Sequence, residues 1–198
     1  MLDRDIRPTL VRTVRASHPG AALFEELPVC RKGRADLVAV NSALWGYEIK
    51  SDRDTLNRLP RQIEHYESIF DYCIVVAAER HLRYADLIIP PHWGIFSVHG
   101  SIGDCSMDEV RRPQRNPNRR IEQIIRLLWK TEGMKALRTH GVKVPRNAPV
   151  RLVWKMLSKL PTPDVEESVR SALKNRNSPE SALPRMSGDD LRTTAPIA

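Results

Sequence analysis

Ile6, Leu10 and Val14 recur along one helical face, and Asp3 and Asp5 stand where carboxylates favour a helix start, so a helix is expected over residues 4–16. After His18-Pro19-Gly20 come three short runs at 22–30, 34–40 and 44–50, parted by Arg31-Lys32-Gly33 and Asn41-Ser42-Ala43, which predict a meander of three strands. Leu56, Leu59, Ile63, Tyr66 and Phe70 then step by three and four, as an amphipathic helix requires. Ser51 or Asp52 is available as its cap, and Pro60 either kinks it or starts a second helix. Residues 72–78 are a continuous apolar run of the kind found in a strand buried on both faces. A short helix at 82–88 and a strand at 94–98 complete the order α-β-β-β-α-β-α-β.

Residues 113–118 read as a linker, with polar and basic residues between two prolines. Beyond it Ile121, Ile124, Ile125, Leu128 and Trp129 predict an amphipathic helix. Two more helices are expected at 149–160 and 163–175, the last with Asp164 and Glu166-Glu167 in its first turns. The pattern predicts an α/β core over residues 1–110, a mixed sheet flanked by helices. A helical extension over 111–176 is packed on or linked to it, and a disordered tail covers 177–198.

At 198 residues the chain is long enough to bury a core without disulfides or a structural metal. Cys30, Cys73 and Cys105 are odd in number and widely spaced, which points to reduced thiols and away from a zinc site. The charged start Met1-Leu2-Asp3-Arg4-Asp5 leads into no apolar stretch of signal-peptide length, and no run approaches a membrane span; a cytoplasmic protein with no membrane partner is expected. Charge changes the picture more. Residues 1–110 hold 13 Lys and Arg against 16 Asp and Glu, whereas residues 111–198 hold 19 against 8. A basic half suits a partner with a phosphate backbone, since counterion release drives such binding with little sequence preference; a merely solvated basic surface is the alternative.

Closing the hairpin over 34–50 symmetrically about Ser42 makes Val40 face Leu44 and puts Asp36 opposite Glu48. Opposed residues in an antiparallel pair have Cβ atoms roughly 4.5 to 5.5 Å apart, close enough for two carboxylates to share one cation. Lys50 falls on the same face, while Leu37, Ala39, Trp45, Tyr47 and Ile49 fall on the other and can pack against a helix. Opposed carboxylates repel unless a divalent cation turns repulsion into ligation. Two carboxylates and a lysine suit phosphodiester hydrolysis, in which Mg²⁺ or Mn²⁺ activates water and the lysine orients or deprotonates it.

Asp36 followed by Glu48-Ile49-Lys50 resembles the PD-(D/E)XK nuclease superfamily, with Ala35 where a proline often precedes the aspartate. Gln62 and Tyr66, one helical turn apart, look like the QxxxY element of its recombination-associated exonuclease branch. The longer block from Gly46 to Gln62, with Asp5-Ile6-Arg7 and Leu127-Leu128-Trp129, is similar to a small bacterial and phage branch. The resemblance covers residues 1 to about 175. It implies a restriction-endonuclease-like αβββαβ core and a metal-dependent nuclease acting on nucleic acid, DNA rather than RNA. It further implies that Asp36 and Glu48 bind Mg²⁺ or Mn²⁺, Lys50 activates water and Gln62 assists.

Tyr66 is either a site residue or part of a buried stripe with Ile63 and Phe70. Asp5 is either a third carboxylate of the metal site or a helix cap, and Glu26 either a further acidic ligand or an exposed strand position. Arg34 and Arg61 are candidate phosphate contacts or solvated charges. The histidines form no metal or phosphodiesterase spacing, and no GxxxxGK[ST] loop is present, so nucleotide-driven motor activity is excluded at the level of motifs. The reading of a different class is a non-catalytic DNA- or protein-binding scaffold, a regulator of phage or mobile-element origin that keeps the nuclease fold.

Overall fold

The computed structural model describes residues 1–30, 33–101 and 103–176. The tail expected to be disordered, 177–198, lies outside the described residues. Helix α1 (Asp3–Ser17) leads into the meander β1 (Ala22–Cys30), β2 (Gly33–Val40) and β3 (Leu44–Lys50). A 3-10 turn (Leu56–Arg58) and α2 (Leu59–Glu67) cross to β4 (Tyr72–Ala78), and α3 (Glu79–Ile88) crosses to β5 (Gly94–Ser101). The six strands form one sheet in sequence order: β1, β2 and β3 antiparallel, β3, β4 and β5 parallel, and a sixth strand, β6 (Asp104–Arg111), antiparallel to β5 at the edge. The fold is therefore α/β, a mixed sheet flanked by helices. Pro60 starts α2, where its missing N–H is tolerated, and does not kink it.

The two sheet faces bury different partners. Leu37, Ala39, Tyr47 and Ile49 pack with Ile6, Leu10 and Val14 of α1, as the alternation along the hairpin predicts. The other face is not polar, as the hairpin pattern taken alone suggests. Val38, Val40, Leu44, Val75 and Ala77 pack there with Leu59, Tyr66 and Phe70 from the α2 region. The C-terminal helices share this core: α4 (Ile121–Ile124) with a 3-10 turn (Ile125–Leu127), α5 (Lys130–Thr139), α6 (Val150–Leu157) and α7 (Thr162–Arg176) contribute Ile124, Leu137, Val153 and Val169. Residues 111–176 are thus built onto the sheet. Asn116 fastens the connecting segment by donating to the carbonyls of Glu67 and Phe70 at 2.8 Å each.

Three elements depart from the pattern. The strand β6 matches no element expected from the sequence, since five of its eight residues are polar. Cys105 and Met107 lean inward onto the α1 side. The helix expected through Trp129 is a single turn plus a 3-10 turn, since Leu128 turns extended at ψ 138°. Helix α5 was not expected: its buried face is Gly133, Met134, Ala136 and Leu137, too small and mixed to show a strong stripe. Among the described residues no helix is long and apolar enough to cross a membrane.

Candidate active site

The β2–β3 register is the expected one, with Val40 facing Leu44, but the ladder runs only as far as Leu37 opposite Tyr47. It stops one pair short of Asp36 and Glu48, whereas β3 continues beside β4 through Glu48, Ile49 and Lys50. The expected direct ladder pairing of Asp36 with Glu48 is thus replaced by a fork between β2 and β3. Side chains fill the fork. Asp36 Oδ2 accepts the Ile49 amide at 2.8 Å, and the Tyr66 hydroxyl donates to the Tyr47 carbonyl (3.0 Å) while accepting the Asp36 amide (3.3 Å). Tyr66 therefore holds both suggested positions: its ring is buried against Phe70 and Trp93, and its hydroxyl bridges the strands where they part.

Glu48 and Lys50 project from β3 beneath α2 and are 1% and 4% exposed. Lys50 Nζ donates to Glu48 Oε1 (2.7 Å) and to Gln62 Oε1 (2.8 Å), and Gln62 Nε2 donates to the same Glu48 oxygen. This triangle fixes the amide's orientation, because the ammonium can only donate and the carboxylate can only accept. The first turns of α2 position Gln62, and Leu59 and Tyr66, buried on the same helix, fix its rotation. Glu48 Oε2 is buried without a well-formed hydrogen bond, a position that apolar surroundings penalise, although the Tyr66 hydroxyl lies near enough to favour the charged carboxylate.

Electrostatics follow from this crowding. Burial, then the Glu48 charge, push the Asp36 carboxyl up to about 7, against the pull of the Ile49 amide and Lys50. Burial also raises Glu48, with Lys50 opposing it. The Tyr66 hydroxyl is held well above its usual range by burial and by both carboxylates. Two carboxyl groups that resist ionising side by side, one with an oxygen lacking a well-formed hydrogen bond, are suited to a cation. Among the described residues no three His, Cys, Asp or Glu side chains gather closely enough to hold a metal between them. A pair nevertheless fits Mg²⁺ or Mn²⁺, since Mg²⁺ keeps several waters and takes one or two protein carboxylates plus substrate oxygens.

The remaining candidates separate. Asp5 accepts the Leu2 amide at 2.7 Å, the backward half of a capping box, and so is engaged within its own helix start. Asp3, one turn before Arg7, is instead the first-helix carboxylate whose charge bears on Asp36. Glu26 is half-buried in β1, pairs with Arg7 Nη2 at 2.7 Å and with Arg34, and is the single non-glycine residue with positive φ (57°) among those described. Arg34 is exposed apart from that ion pair, and Arg61 is exposed on α2 beside Gln62. Sequence reasoning missed Arg7, whose Nη1 donates to the Asp36 carbonyl at 2.6 Å. The available signal was the Asp3–Arg7 spacing on a helix whose start was clear.

Comparison with known proteins adds relatives to this geometry. Protein cII of Enterobacteria phage P4 is 24% identical over 157 residues, an alignment covering 79% of this chain and 60% of that protein, so the chain spans well under the full length of its curated relative. A solved protein of unknown function from Silicibacter pomeroyi is 18% identical, with a TM-score of 0.47 over 75% of this chain and 98% of the other. The sequence profile described as Bacteriophage P4 protein cII matches residues 6–190, nearly the whole chain, and the protein belongs to that family.

Proposed function

We propose that the protein is a metal-dependent phosphodiesterase of the PD-(D/E)XK type that hydrolyses nucleic acid, DNA in preference to RNA. The observation that carries this reading is the convergence of buried Glu48 and Lys50 with the half-buried Gln62 and Asp36, the Glu48 charge bearing on Asp36 and Glu48 Oε2 lacking a well-formed hydrogen bond. Asp36 and Glu48 would hold Mg²⁺ or Mn²⁺, which when bound supplies a Lewis acid and a more acidic water. Lys50 is the residue assigned to the attacking water, orienting it or taking its proton. Gln62 keeps the lysine and Glu48 in mutual register, and Tyr66 holds the fork open. The excess of basic residues after position 110, with Arg34 and Arg61 exposed on elements of the site, supports a phosphate-backbone partner.

The direct test incubates purified protein with linear, nicked, branched and single-stranded DNA and with RNA, in Mg²⁺ or Mn²⁺. Metal-dependent cleavage lost in Lys50→Ala is expected; equal products from wild type and variant overturn the proposal. Cleavage confined to RNA would replace the preference for DNA.

One observation favours a second reading, a non-catalytic DNA- or protein-binding scaffold of phage origin. Lys50, Glu48 and Gln62 already satisfy one another in a closed triangle, and a relative 24% identical over 157 residues is a phage protein. Calorimetric titration with Mn²⁺ separates the two. Binding lost in Asp36→Ala supports the hydrolase, whereas no binding by wild type, or binding unchanged in the variant, supports the scaffold.

A further inference from the structure

Asp36 sits in a strand with neighbours on both sides, yet it is paired with neither. On the β3 side the ladder ends at Leu37. On the β1 side the register joins Glu25 to Leu37 and Leu27 to Ala35, passing over Glu26 and Asp36 between them. Glu26 is the position where β1 turns into the left-handed region, at φ 57°, a conformation that strains a residue with a Cβ and persists only where surroundings over-determine it. Both backbone polar groups of Asp36 are therefore held by side chains from other elements: the amide by Tyr66 of α2 and the carbonyl by Arg7 of α1.

We propose that Arg7 is a positioning residue of the candidate site, its guanidinium standing in for the missing strand pairing and fixing the Asp36 backbone so that the carboxylate stays beside Glu48. The inference rests on the metal-dependent reading of that site. The fork of five donors explains why the residue is an arginine. Nη1 holds the Asp36 carbonyl at 2.6 Å, Nη2 holds Glu26 at 2.7 Å and Asp3 at 3.0 Å, and Nε holds Asp3 at 2.9 Å. One planar group thus ties three elements, α1, β1 and β2, to a single point. Asp3 anchors the guanidinium from the preceding turn, at the i,i+4 spacing. The same contacts set the Arg7 cation between Asp3 and Glu26, where it opposes the negative field that Asp3 adds at Asp36. Partners of metal-site residues typically change metal affinity about 10- to 100-fold when removed.

The test uses Arg7→Met and Arg7→Lys in the full chain, with Mn²⁺ affinity measured by calorimetry and amide exchange measured in the metal-free protein. Expected are an affinity loss of about 10- to 100-fold in Arg7→Met, a smaller loss in Arg7→Lys, and faster exchange confined to Asp36 and Ile49. A purely structural role would instead lower the melting temperature and speed exchange across α1 and the sheet. Wild-type affinity and wild-type exchange at Asp36 in whichever variant folds would overturn the inference. Absence of Mn²⁺ binding in the wild type would sink the metal reading while leaving the exchange measurement to decide the role of Arg7.

Discussion

The strand β3 is two structures end to end. From Trp45 to Tyr47 it is paired on both sides, to β2 and to β4, and its side chains go into apolar packing. From Glu48 to Lys50 it is paired with β4 alone, and the vacated side is filled by the Asp36 carboxylate on the Ile49 amide. In the first half the backbone satisfies itself and the side chains are free to pack. In the second, withdrawing β2 opens room for a carboxylate, an ammonium and an amide, and obliges side chains to satisfy the backbone. The site is made by ending a ladder early, at the cost of burying charges that the apolar half never meets.

Breaking the apolar half should have the larger effect. A Cβ at Gly46 would lie 2.4 Å from Phe70 Cδ2 and 2.7 Å from two further ring atoms, in a ring that is itself fully buried. Gly46→Ala should therefore destabilise by about 3 kcal/mol, the upper part of the range for overpacking. Denaturant unfolding measures it, and a loss below about 1 kcal/mol would show that Phe70 and α2 can retreat.

The polar half should respond in the opposite direction. The Asp36 carboxyl titrates at about 7 when folded, against 3.8 ordinarily. Between those values the folded state holds the proton and the unfolded state has released it. Stability contributed by the neutral carboxyl is thus complete below about pH 4, falls as pH rises, and is gone above about pH 7. A shift of that size corresponds to about 4 kcal/mol for an enclosed group, and the partial exposure of Asp36 reduces it to about 2 kcal/mol. Asp36→Asn, still able to accept the Ile49 amide, should stabilise the protein in chelator by about 2 kcal/mol at pH 8 and hardly at pH 4, while removing Mn²⁺ binding. Unfolding at the two pH values measures it; equal changes at both would mean that the carboxylate is not strained by its site.

The contrast also marks what was legible in the sequence. The α1 face, the three-residue turn and the register around Val40 and Leu44 follow from local alternation, and the shared face of Glu48 and Lys50 follows from a period of two in a strand, whereas Gln62 was expected at the site only through the QxxxY resemblance. The fork was not legible, because continuing the ladder to Asp36 is the regular solution. What prevents it is Tyr66, Arg7 and the turned backbone at Glu26, which come from three other elements. The strand β6 and helix α5 were hidden for a different reason: one is polar at the sheet edge, and the other buries glycine and alanine against α6. The closed state of Lys50 likewise needed coordinates, since spacing shows that residues meet but not which oxygen is left over.

Tyr66→Phe separates the two roles of that tyrosine and is the mildest way to disturb the fork. The ring would remain against Phe70 and Trp93, so the apolar half should keep its packing. The lost hydroxyl leaves the Tyr47 carbonyl and the Asp36 amide without the bridge that joins them. Leaving buried groups unpaired costs about 1–3 kcal/mol, and the length of the Asp36 contact points to about 1 kcal/mol. Exchange should quicken at Asp36 and stay slow at Trp45 and Gly46, since the apolar half is paired on both sides. Loosening that spread along the whole of β3 would mean that the hydroxyl clamps the full hairpin, and that the two halves of the strand are one cooperative unit.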